Sequence, residues 1–158
     1  GYMDAGKLVP DALVIGLMKE KLASTKGPVL LDGFPRSLEQ ARQLDALTKV
    51  DLAIDIEVNE ENLVKRITLR RSCKGCGAVY HLEFNPPKQA GKCDKCGGEL
   101  YQRSDDTEQT VRERLKTYKE KTLPLTKYYK DKGVLRTVNG EGEIPEVFER
   151  IVKVLRTK

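Results

Sequence analysis

Residues 29–41 read VLLDGFPRSLEQA, and the reading of this stretch decides the fold. Val29-Leu30-Leu31 is a short apolar run that stops at Asp32-Gly33, as a buried strand does on meeting a loop. Pro35 stiffens the loop just before Arg36, and Ser37 with Gln40 three residues later predicts a capping box. The helix it opens carries Leu38, Ala41, Leu44 and Leu47. In sheets of parallel strands, ligands bind beyond the carboxyl ends, where Asp32 and the Gly33-Phe34-Pro35-Arg36 loop fall. A guanidinium held still there suits a phosphate, and a carboxylate suits a hydrated magnesium ion. The competing reading is a plain turn, with Asp32 capping the helix and Arg36 on the surface.

The flanking sequence supplies the rest of the sheet. Upstream, Leu8-Val9-Pro10-Asp11 starts a helix with Val14, Leu17, Met18 and Leu22 at helical spacing, and Gly27-Pro28 breaks it. Downstream, DLAIDIEV (51–58) reads as a second strand, and Asn59 caps a helix carrying Leu63, Ile67 and Leu69. After Asp105-Asp106-Thr107 a long helix is predicted to run toward Gly133, kinked near Pro124. VLRTV (134–138) is a third strand, and Pro145 opens a last helix with Val147, Phe148, Ile151, Val152 and Leu155 in one stripe. Strands alternating with helices predict an α/β fold, a parallel sheet covered on both faces.

Residues 69–106 interrupt this pattern and read as an inserted flap. They hold every cysteine of the chain: Cys73, Cys76, Cys93 and Cys96. Two C-x-x-C pairs beside Gly75, Gly77, Gly97 and Gly98 are the spacing of a four-thiolate zinc site, and two adjacent disulfides are the alternative. Four protein ligands leave no position for a reactive water, so the metal is expected to be structural. A zinc-ribbon module binding nucleic acid would also explain the cysteines. Only Tyr80, Phe84 and Tyr101 are available in the flap to stack on bases.

The 158 residues suit one domain, and 29 Lys and Arg against 24 Asp and Glu give a net charge of +5, compatible with phosphate-bearing partners. No apolar run has membrane-spanning length, and a cytoplasmic setting is expected. Arg66 and Arg70 share one helix face, Arg103 and Arg114 flank the far root of the flap, and Arg36 lies at the sheet end. Any one of these could be an ordinary surface cation. As a set they are expected to cluster around the sheet end and the two roots of the flap, where the surface reading is less attractive.

The motifs MDAGKLVPD, LLDGFPRSLEQA, the Arg70-Arg71 pair before the cysteines, VYHLEFNPPK, YQRSDD and TVRERL occur in this order. Together they resemble the adenylate kinases in their zinc-bearing bacterial form, from Tyr2 to the C-terminal helix. The resemblance implies a three-layer nucleoside monophosphate kinase-like core at 10–68 and 107–158, a zinc-stapled lid at 69–106, and an AMP-binding remnant at 1–9. It implies the reaction ATP + AMP to two ADP with Mg2+, in a monomer without nucleic-acid or membrane partners. Lys7, Leu8, Val9, Gly33, Phe34, Pro35, Arg36 and Gln40 would line the AMP pocket, with Arg36 on the AMP phosphate. Arg66, Arg70, Val79, Tyr80 and Gly142 would contact ATP, and Arg103 and Arg114 would bridge the phosphates of both nucleotides. Asp32 would hold magnesium through water, and Asp105 and Asp106 would lock the closed lid. His81 is expected to be structural. The family's first strand and its G-x-x-x-x-G-K phosphate loop do not occur in these residues. The expectation is therefore a fragment with little turnover of its own, or else a non-catalytic nucleotide-binding relative.

Overall fold

The computed structural model describes residues 1–2 and 6–156, so Met3, Asp4 and Ala5 of the MDAGKLVPD motif lie outside the described residues. Pro10 leads into α1 (Asp11–Ser24), as its fixed φ favours. None of the residues of α1 is buried, and Leu17 is 70% exposed. The expected stripe is thus only partly covered, by the contact of α1 with α2 (Leu38–Leu47).

Val29–Leu31 is not a strand: its backbone is irregular and Leu30 is 92% exposed. An apolar run becomes a strand only when a neighbour accepts its N–H groups and supplies its carbonyls with donors, and none of the described residues does so. The capping box also departs from expectation. Ser37 Oγ accepts from Gln40 N at 3.1 Å, but the Gln40 side chain does not return to the Ser37 amide. Its Oε1 accepts from Arg36 N instead, at 2.7 Å.

The second expected strand forms as β1 (Ala53–Glu57), and Asn59 Oδ1 caps α3 (Glu60–Thr68) by accepting from Glu61 N at 2.9 Å. Glu60 and Glu61 in its first turn and Lys65 and Arg66 in its last both suit the helix dipole. Next come β2 (Arg70–Cys73), β3 (Val79–His81) and β4 (Leu100–Tyr101), an antiparallel sheet in the order β3-β2-β4. Buried Cys73, Tyr80 and Cys93, with Ala78 and Leu100, form its small core.

The long helix predicted after Thr107 is three pieces: α4 (Glu108–Thr117), one wide turn at Tyr118–Thr122, and α5 (Pro124–Asp131). Pro124 has no N–H to give the preceding turn and sits where a helix starts without loss. The chain before it widens instead, Leu123 N reaching Tyr118 O at 2.8 Å. β5 (Leu135–Asn139) then pairs in parallel with β1, Ala53 opposite Leu135 and Glu57 opposite Asn139. The fold is mixed α/β with a parallel sheet, of two strands among the described residues. Ala41, Leu125 and Tyr129 are buried beside it, packed by Val50, Ala53, Val134 and Leu135. Burial pushes the Tyr129 phenol up to about 12. α6 (Ile144–Arg156) rests on β5, but its stripe is only half covered, with Phe148 64% exposed.

Candidate active site

The Asp32–Arg36 loop folds around its own arginine. Arg36 Nε donates to Gly33 O at 2.6 Å, which curls the side chain back over the turn. Gly33 has φ +69°, and a Cβ there would lie 2.6 Å from Arg36 Nη2. The positive φ therefore favours glycine, and a Cβ would push the end of the Arg36 side chain out of its present position. Thr122 Oγ1 donates to Arg36 O at 2.8 Å, tying the loop to the wide turn after α4. Asp32 is exposed and makes no side-chain hydrogen bond or ion pair with the described residues, so its lone pairs are available to a ligand.

Gly6 sets the segment before α1 against α4, where Thr117 Oγ1 lies 3.3 Å from Gly6 O. It is buried with φ +70°, and a Cβ there would stand 3.2 Å from Arg114 Cγ and 3.1 Å from Thr110 O. Lys7, Leu8 and Val9 follow directly, with Lys7 exposed and the other two half-buried.

The two roots of the cysteine-bearing segment meet on one carboxylate. Asp106 is fully buried, and Arg70 reaches it with two bonds, Nη2 to Oδ1 at 2.5 Å and Nε to Oδ2 at 3.0 Å. Those bonds raise the Arg70 guanidinium above its ordinary range. Arg114 on α4 reaches Asp105 Oδ2 at 3.2 Å and lies 4.0 Å from Asp106 Oδ1. Arg103 donates to Ser72 Oγ on β2 at 3.0 Å. Thus Arg70 and Arg114 are tethered within one cluster of short polar contacts, and Arg103 is held separately, on β2. Arg36 is fixed in its own loop.

Arg66 stands apart from this group. Its Nη1 and Nη2 donate to Gly140 O at 3.1 Å and Gly142 O at 3.3 Å, so the end of α3 is pinned to the loop after β5. The guanidinium also lies 5.8 Å from the Phe84 ring centre. Glu141 steadies that loop, accepting from Asn59 N at 2.7 Å and Asn62 Nδ2 at 3.0 Å, and the Asn59 amide lowers its carboxyl.

The four Sγ atoms of Cys73, Cys76, Cys93 and Cys96 lie within 4.8 Å of one another, and all four thiols are free rather than paired in disulfides. Gly75 N donates to Cys73 Sγ at 3.3 Å. Tyr80 Oη accepts from Asp94 N at 2.8 Å and lies 3.4 Å from Cys93 Sγ, a contact in which either atom can donate and in which the hydroxyl is the donor once the sulfur is ionised. That donor brings the Cys93 thiol down to about 6. Converging sulfurs met by N–H and O–H donors fit a thiophilic metal ion. Tyr80, being 6% exposed, cannot stack on a base. Val79 beside it is exposed. His81 is held structurally, its Nδ1 accepting from Glu83 N at 3.1 Å and Phe84 N at 3.0 Å, and burial lowers its pKa.

Sequence reasoning missed Gly6, Asp11, Ser72, Thr122 and Glu141. Each acts on a partner far along the chain, and only the Pro10-Asp11 helix start gave any local signal.

Known proteins are similar to this chain along most of its length. A family model described as adenylate kinase matches residues 1–134. The adenylate kinase of Archaeoglobus fulgidus is 54% identical over 162 residues, covering 98% of this chain and 74% of the relative. Those of Desulforamulus reducens and Thermodesulfovibrio yellowstonii are 52% and 48% identical, covering 98% and 99% of this chain and 76% of each relative. With its arginines gathered at the roots of a cysteine-bearing insertion and most of its length matched, the chain belongs to the adenylate kinase family.

Proposed function

We propose that the chain carries out the family's phosphoryl transfer, moving the γ-phosphoryl of ATP onto the phosphate of AMP to give two ADP. The observation that carries this reading is the meeting of Arg70 and Arg114, from opposite roots of the 69–106 segment, on buried Asp106 and its neighbour Asp105. A phosphoryl group in flight spreads charge over its equatorial oxygens, and cations fixed in advance stabilise it without reorganising. Arg70, Arg103 and Arg114 are the cations for that task, and Arg36 grips the AMP phosphate. Lys7, Leu8, Val9, Gly33, Phe34, Pro35 and Gln40 line the AMP side. Arg66, Val79, Tyr80 and Gly142 serve the ATP side, Tyr80 through its backbone because its hydroxyl is committed to Cys93 and Asp94.

Asp105 and Asp106 hold Arg114 and Arg70 in place and lock the cysteine-bearing segment as a closed lid, so that the cations stand fixed when the phosphates are bound. The four cysteines hold zinc, which fixes the shape of that lid. Asp32 is the carboxylate for the waters of a magnesium ion, and magnesium supplies neutralisation of the nucleotide phosphates. Excluding bulk water keeps the phosphoryl group from hydrolysis.

The test is ADP formation from ATP, AMP and Mg2+ by the intact enzyme and its Arg114→Lys variant. Removing the planar fork is expected to lower kcat about 10²–10³-fold while the melting curve stays close to the parent's. Turnover equal to the parent's would remove Arg114 from the transferring site. A second expected result concerns the loop. Gly33→Ala forces a methyl group against Arg36 and strains a positive φ, so KM for AMP rises about tenfold while KM for ATP is unchanged. Equal effects on both substrates would show that Gly33 serves the fold alone.

A further inference from the structure

We infer that Asp11 is a positioning residue for acceptor-base selection, acting through the side-chain amide of Gln40. The inference rests on the reading of Gln40 as part of the AMP pocket. Gln40 is 2% exposed, and its amide is held at both ends. Its Nε2 donates to Asp11 Oδ1 at 2.7 Å, and its Oε1 accepts from Arg36 N at 2.7 Å. Asp11 is fixed in turn, since its Oδ2 accepts from Ser37 Oγ at 2.9 Å while Ser37 Oγ accepts from Gln40 N. Four groups from two helix starts thus close one ring of hydrogen bonds around a single amide.

The ring determines which way the amide faces. A carboxamide has two donors and two acceptor positions, and here one of each is used. What remains is one N–H and one lone pair on Oε1. An adenine presents a ring acceptor, N1, beside an exocyclic amino donor, which is the complement of that pair. A 6-oxopurine presents the reverse, an N1–H donor beside a carbonyl acceptor. Reading it requires turning the amide over. The turned amide would aim Oε1 at the Asp11 carboxylate, which only accepts, and its NH2 at the Arg36 N–H, which only donates. Both fixed partners would be lost and both left facing a like group. The carboxylate of Asp11 therefore enforces the adenine-reading orientation from a position that need not touch the base.

The experiment compares kcat/KM for AMP and for inosine monophosphate in the intact enzyme, with Asp11→Asn, Asp11→Ala and Gln40→Leu. Asparagine is nearly the same size as aspartate and can either accept or donate, so the penalty against turning the amide is lifted at the Asp11 end and persists only at the Arg36 N–H. Asp11→Asn is expected to lower the preference for AMP over inosine monophosphate about tenfold, chiefly by improving use of the 6-oxopurine, with a melting temperature close to the parent's. Asp11→Ala, where water meets either orientation, should lower it at least as far. Gln40→Leu should remove most of the preference. Loss of preference in Gln40→Leu with none in either Asp11 variant would overturn the role of Asp11 and leave the pocket intact. An equal loss for both acceptors in the Asp11 variants would reduce Asp11 to a helix tether and also overturn it. Full preference in Gln40→Leu would remove the pocket reading itself, and this inference with it.

Discussion

Replacing Arg70 with alanine is expected to lower kcat about 10³-fold and also to destabilise the fold by about 3 kcal/mol. The two effects have separate causes. Turnover falls because a fixed guanidinium no longer meets the charge on the transferring group. Stability falls because Asp106 is fully buried and would keep only Arg114, 4.0 Å away. An uncompensated buried carboxylate costs about 3–5 kcal/mol, and the 28% exposure of the Arg70 side chain, through which water can enter, places the expectation at the lower end. Adding Asp106→Asn to Arg70→Ala separates them. The double variant should recover most of the melting temperature, because no charge is left unpaired, and none of the turnover. Recovery of both would mean that Arg70 matters only as the partner of Asp106, and the proposed role in transfer would fail.

Loss of the metal should be felt most in β2, β3 and β4. Their core is Cys73, Tyr80 and Cys93 with Ala78 and Leu100, too little apolar surface to hold a small sheet together unaided. Two of the thiols are also set against each other in their protonation. Cys93 is brought to about 6 by the Tyr80 hydroxyl, whereas Cys96, despite the Gly98 N–H that lowers it, is pushed up to about 12 by Cys73 and Cys76. A divalent cation removes that conflict, and structural zinc sites in small peptides contribute about 10–16 kcal/mol of apparent binding free energy. Chelation, or Cys93→Ala, is therefore expected to lower the melting temperature by at least ~10 °C while changing turnover per folded molecule less than about tenfold. Metal content by mass spectrometry and calorimetry on the same samples would check it. Identical melting curves with and without metal would end the idea of a structural site.

Much of this could be read along the chain because the signals are local. The cysteine spacing forecast the sulfur cluster, Asn59 forecast a cap, and Asp51 to Val58 forecast β1. The family was legible in the order of six short motifs, which no periodicity argument could have supplied.

What the sequence by itself determined, then, is much of what depends on neighbours within a few residues: most helix starts, the metal-ligand spacing, and the residue types able to hold phosphate, though not the Gln40 half of the capping box or the wide turn before Pro124. The tertiary structure alone decided what depends on partners brought from far away. Val29–Leu31 had the composition of a strand, but a strand exists only with a neighbour to complete its hydrogen bonds, and none of the described residues supplies one. Asp106 looked like one of two acidic residues in a row until Arg70, 36 positions earlier, closed over it. Asp11 looked like the start of a helix until folding set it 2.7 Å from an amide 29 residues away. Hydrogen bonds and ion pairs act over a few ångströms, and the chain's path through space, rather than its order, determines which groups come that close.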